Sequence, residues 1–127
     1  MAVNRIVVKL LYFDLKNLLK DNIMARKMKI RAWDNGKNTS IKAIIFHPME
    51  TGLRKDKKTG KKIPGHYITE VNCEHNGKNI LTCLWGPGVS KNPFLAFNFN
   101  GAKKGDSVKI SWVDNKGGKG GSTAKIS

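Results

Sequence analysis

From Met28 to the C-terminus, apolar residues come in short alternating runs divided at close intervals by Gly, Pro, Asn and Asp. Residues 29–33 stop at Asp34-Asn35-Gly36, and residues 41–46 stop at His47-Pro48. Residues 67–74 and 79–85 flank Asn76-Gly77, the dipeptide that best supplies the positive φ angles of a tight hairpin. Residues 94–99 end at Asn100-Gly101, residues 107–113 end at Asp114-Asn115, and residues 123–126 make a last short strand. Alternation assigns faces. Leu95, Phe97 and Phe99 share one side against Ala96 and Asn98, and Val108, Ile110 and Trp112 alternate with Lys109 and Ser111. No segment after Met28 sustains a helical period for three turns. The pattern therefore predicts an all-β, antiparallel sandwich or barrel. Residues 41–46 depart from simple alternation, with Ile41, Ala43 and Ile45 on one face and Ile44 and Phe46 on the other. Such a strand is either central or has its outer face covered by a partner.

The first 23 residues read differently. Leu11, Leu15, Leu18 and Leu19 fit helical spacing and predict a short amphipathic N-terminal helix. As a secretory signal the segment is poor, because Lys9 and Asp14 interrupt its apolar stretch and no small-residue cleavage site follows. A start at Met24 accounts for the contrast as well as a helical extension does. The expected division is an N-terminal extension over residues 1–27 and a β-domain over residues 28–127.

Length and charge narrow the class. The chain of 127 residues supports one domain and excludes a large multidomain enzyme. No run approaches the roughly 20 apolar residues of a membrane helix, so no membrane insertion is expected. With 24 Lys+Arg against 9 Asp+Glu the formal net charge is +15, which favours an anionic partner. The charge is concentrated at Arg54, Lys55, Lys57, Lys58, Lys61 and Lys62, with only Asp56 opposing it there. A sparser set, Lys103, Lys104, Lys109, Lys116, Lys119 and Lys125, fits a solubilised surface.

Catalytic and metal signatures are weak. A two-residue turn at Asn76-Gly77 puts Cys73 and Cys83 on opposite faces of the hairpin, and a three-residue loop puts them too far apart, so two free thiols are expected rather than a disulfide. His47, His66 and His75 show no zinc-ligand spacing, and His75 falls at the turn, where it is expected to be solvated. The seven acidic residues after Met24 form no marked pair. Gly117-Gly118-Lys119-Gly120-Gly121 lacks the spacing of a phosphate loop and reads as a flexible turn before the last strand. No catalytic residue, metal or cofactor is expected. Nucleic acid is not expected either, because Phe97 and Phe99 lie on the face assigned to the core; a basic nucleic-acid-binding β-domain is the runner-up, on charge alone.

Two segments are too particular for generic surface. One runs His47-Pro48-Met49-Glu50-Thr51-Gly52, then Arg54-Lys55-Asp56, Ile63-Pro64, His66-Tyr67-Ile68 and Glu70-Val71. The other is Trp85-Gly86-Pro87 followed by Val89-Ser90-Lys91-Asn92-Pro93-Phe94. Their prolines and glycines make stiff loops, which suit a preorganised binding surface. With Glu74-His75-Asn76-Gly77-Lys78, Gly101-Ala102-Lys103, Gly105-Asp106 and Ser111-Trp112-Val113-Asp114-Asn115-Lys116-Gly117, the ordered set over residues 28–127 resembles the SoxZ family of the sulfur-oxidation system.

The resemblance implies an immunoglobulin-like β-sandwich without catalytic centre or cofactor. It implies a tight complex with a SoxY-like protein, whose flexible C-terminal Gly-Gly-Cys-Gly-Gly arm carries the sulfur substrate in the oxidation of thiosulfate or other reduced sulfur compounds. Transient docking to other Sox enzymes follows, as does a periplasmic location reached by export with the partner. This chain ends Lys125-Ile126-Ser127 and shows no such arm. Ile44, Phe46, Trp85, Lys91 and Phe94 are the residues assigned to partner contact, and the cations at positions 54, 55, 57, 58, 61 and 62 to electrostatic docking.

Overall fold

The structure is a computed structural model that describes residues 28–127. The helix expected within residues 1–23, and the whole of the 1–27 extension, lie outside the described residues. The seven strands are β1 (Met28–Asp34), β2 (Thr39–Ile45), β3 (Ile68–His75), β4 (Lys78–Leu84), β5 (Phe94–Phe99), β6 (Ser107–Asp114) and β7 (Lys119–Lys125). They form two antiparallel sheets, ordered β1-β2-β5 and β4-β3-β6-β7. Connections β2–β3, β4–β5 and β5–β6 all pass from one sheet to the other. The described part is thus an all-β sandwich of immunoglobulin-like kind.

Period two builds the core from both sheets. Ile41, Ala43 and Ile45 of β2 face Val71 and Cys73 of β3 and Val108, Ile110 and Trp112 of β6 across the interior. Leu95, Phe97 and Phe99 pack against that core from β5, as their alternation predicts. The β1–β2 turn is held by its own side chains, since Asn35 Oδ1 accepts from the N–H groups of Lys37 and Asn38, each at 2.9 Å. Past β7, Ser127 turns back onto β1, donating to Ala32 O at 3.1 Å and accepting from Asp34 N at 2.9 Å. That closes one side of the sandwich and leaves β4 and β5 with one neighbour each.

Three local expectations are corrected. The Asn76-Gly77 turn forms with φ of 49° and 86°, and His75 pairs with Lys78. A register shift then follows between Cys73 and Glu74, so Cys73 pairs with Leu81 and Cys83 with Val71. The shift brings both thiols to the core side instead of opposite faces; both are free, Cys73 buried and Cys83 half-buried. His75 is not solvated: it bonds Asp106 Oδ2 at 2.8 Å and tilts against Phe99. The glycine-rich stretch is not a slack turn, because β7 begins at Lys119 and runs through Gly120 and Gly121. Gly120 pairs with Trp112, and a Cβ there would come within 2.5 Å of the indole. A glycine lets the strand pass under that ring.

Candidate partner-binding surface

The outer face of β1-β2-β5 takes the residues left over from core alternation. They are Lys29, Arg31 and Trp33 from β1, Ser40, Lys42 and Ile44 from β2, and Phe94, Ala96 and Asn98 from β5. Ile44 is paired between Lys29 and Phe94, and Lys42 between Arg31 and Ala96. Phe94 is 59% exposed, and Ile44 is half-buried beside it. Together with Lys29, Arg31 and Lys42 they line a shallow hollow on the sheet. Arg31 and Lys42 both approach the Trp33 ring, at 4.8 and 5.7 Å from its centroid, so their charges are held in place by cation–π contact. No carboxylate stands at an outward position of these three strands.

Of the five residues assigned to contact, Ile44 and Phe94 are thus brought together as cross-strand neighbours. Phe46 is half-buried just past β2, where Ile45 N donates to Pro93 O at 3.0 Å and Asn92 N to His47 O at 3.0 Å. Lys91 is exposed in that loop, near enough to Glu50 to help hold its carboxyl below the usual range, a shift due first to Arg54. Trp85 packs against the core, and its backbone N–H donates to Thr69 O at 2.9 Å. The residues of the sheet patch that sequence reasoning missed are Lys29, Arg31, Trp33 and Lys42, whose grouping needs the β1–β2 register.

Residues 54–62 form a bridged arm. Lys55 pairs with Lys62, and Asp56 N donates to Lys61 O at 2.8 Å. Arg54 is engaged by Glu50 through two hydrogen bonds, at 2.5 and 3.2 Å. Lys55, Lys57, Lys58, Lys61 and Lys62 are exposed, so the arm presents concentrated positive charge to solvent. It can steer an acidic partner, and five solvated lysines have no geometry for chemistry.

A cluster invisible in the sequence spacing joins His47, His66 and Asp114. Asp114 Oδ2 receives His47 Nε2 at 3.1 Å and His66 Nε2 at 2.8 Å. Its Oδ1 accepts from the N–H groups of Lys116 at 3.0 Å and Gly118 at 2.6 Å. Burial works to raise the Asp114 carboxyl, but these donors outweigh it and hold the pKa down at about 2. The ligand atoms of the three side chains lie within 4.8 Å of one another, close enough for a metal. The hydrogen bonds assign another role. Met49 N donates to His47 Nδ1 at 3.1 Å, which puts the ring proton on Nε2, pointing at Asp114. His47 therefore offers no lone pair to a cation there. The cluster is a latch that ties the loop after β2 and the entry to β3 to the end of β6.

Burial raises both thiols, Cys73 to about 12 with a further push from Cys83, so neither presents a thiolate at neutral pH. The described chain is thus a basic β-sandwich with an apolar, cation-lined sheet face and two free cysteines, one buried and one half-buried, whose thiols burial holds in the protonated form. Residues 28–125 match the family model of the sulphur oxidation protein SoxZ, and the chain belongs to that family. Comparison with curated proteins gives no match. Family membership gives the chain a role in the Sox system of sulfur oxidation, as a subunit of the Sox complex.

Proposed function

We propose that this chain is the non-catalytic scaffold of a two-part sulfur carrier. Its partner is a SoxY-like protein whose C-terminal Gly-Gly-Cys-Gly-Gly arm holds the substrate covalently while enzymes of the pathway act on it. The family match over residues 28–125 carries this reading. The thiols support it: burial raises both, Cys73 to about 12, so neither Cys73 nor Cys83 offers at neutral pH the thiolate on which a sulfur adduct would form. The scaffold would bury a face against the partner, hold the root of the mobile arm, and offer positive charge to docking enzymes. The complex works in the periplasm, exported with the partner. Affinity purification of this chain from its source cell tests the reading. Recovery of a second chain ending in Gly-Gly-Cys-Gly-Gly is expected. Turnover of thiosulfate by this chain alone would overturn it.

A further inference from the structure

We infer that the outward face of β1-β2-β5, centred on Ile44 and Phe94, is where the carrier subunit seats, and that the carrier meets it with an apolar side chain ringed by carboxylates. This rests on the pairing proposed above and goes beyond it by naming the surface and the chemistry of its complement.

The face holds apolar groups that the core does not use. Ile41, Ala43 and Ile45 already fill the inner side of β2, and Ile44 and Phe94 stand on the other side as a cross-strand pair. Among the described residues, the other two large exposed apolar side chains lack such company. Leu84 lies opposite Glu70 on the second sheet, and Leu53 stands in the loop before the basic arm. Around the pair, Lys29, Arg31 and Lys42 supply three positive charges and no negative one. An apolar centre with a charged rim is the usual anatomy of a specific interface. Trp33 restrains two of those cations before any partner arrives, which lowers the ordering cost of association.

Charge also selects the occupant. A second copy of this chain would bring the same cations to the same face, each molecule carrying a net +15, and like charges in contact oppose docking. A partner with carboxylates opposite Lys29, Arg31 and Lys42 turns that repulsion into attraction.

The test uses this chain with its co-expressed carrier subunit, measuring binding by titration calorimetry across a salt series. Phe94→Ala is expected to weaken binding about tenfold or more, as truncation of a central aromatic does. Lys42→Glu faces Arg31 across β1–β2, so it can pair there and stay folded. It should weaken binding by a similar factor at low salt and flatten the salt dependence. Leu84→Ala should bind as the wild type does. Thermal melting of each variant separates lost binding from lost folding. If the wild type pairs and folded Phe94→Ala and Lys42→Glu pair equally well, this face is wrong while the pairing stands. Loss confined to Leu84→Ala moves the seat to the other sheet and likewise overturns the inference. If the wild type binds no carrier but retains single-stranded DNA, and Lys42→Glu does not, both the pairing and this occupant fall to a nucleic-acid reading.

Discussion

Asp114 gathers four hydrogen bonds on two oxygens, from two histidine rings and two backbone N–H groups. Its carboxylate is buried, and such a group stays ionised only while its donors persist. Asp114→Asn replaces an acceptor by an amide whose NH2 must face one of those donors, and should cost about 2–3 kcal/mol of stability. The pH dependence has a definite sign. The folded pKa, about 2, lies below the ordinary 3.8, so the stabilisation is complete above roughly pH 5 and is lost as pH falls through 4 toward 2. Asp106, held at about 2 first by His75 and then by Lys103 N–H, loses its contribution over the same window. Urea unfolding between pH 2 and 6 should show a steep acid decline in the wild type and a shallower one in Asp114→Asn. The thiols give a second check at this scale. With Cys73 at about 12, alkylation of the native protein by iodoacetamide at neutral pH should be far slower at that position than after unfolding in urea. Equal rates would mean that the core opens around Cys73.

At the scale of elements, period two carried most of the fold. The alternations in β5 and β6 name the same inward faces that the core shows, because a strand buried on one side writes its register into its side chains. β7 was only partly legible, since Gly120 and Gly121 carry no side chain to alternate and read as turn chemistry. Their reason lies in another strand: the Trp112 ring occupies the space a Cβ would take. Gly120→Ala is accordingly expected to cost about 1–3 kcal/mol, seen as a lowered melting temperature, with the buried indole forced to shift. The register shift beside Cys73 was hidden for a similar reason, as nothing in the hairpin sequence marks where two residues will oppose one. The patch was half legible. Apolar groups on both sides of residues 41–46 fit either a central strand or a covered outer face, and β2 is indeed the central strand of its sheet, whereas the placing of Arg31 and Lys42 over Trp33 depends on pairing between strands. The His47–His66–Asp114 latch joins positions far apart in the chain, and local spacing carries no trace of it.

For the molecule as a whole, the question is what the +15 charge does. Two arrangements of cations have different reach. Those on the β1-β2-β5 face sit beside apolar groups, so in the interface proposed above they would act at contact, once water is excluded. The five lysines of the 54–62 arm are exposed, so salt screens them within about 8–10 Å, and their influence is on the approach of a partner rather than on the bound state. They hold no part of the fold together; the arm is closed by backbone hydrogen bonds such as Asp56 N to Lys61 O and Ile63 N to Arg54 O, at 2.8 and 2.7 Å. Replacing Lys55, Lys57, Lys58, Lys61 and Lys62 by Gln should therefore leave the melting temperature nearly unchanged. It should lower the association rate with acidic Sox partners about tenfold at low ionic strength, with little effect on dissociation, and stopped-flow mixing across a salt series reads both. A variant that associates as fast as the wild type at every salt concentration would reduce the arm to a solubilising surface, and any salt dependence of association would then have to come from cations elsewhere, such as those of the sheet face.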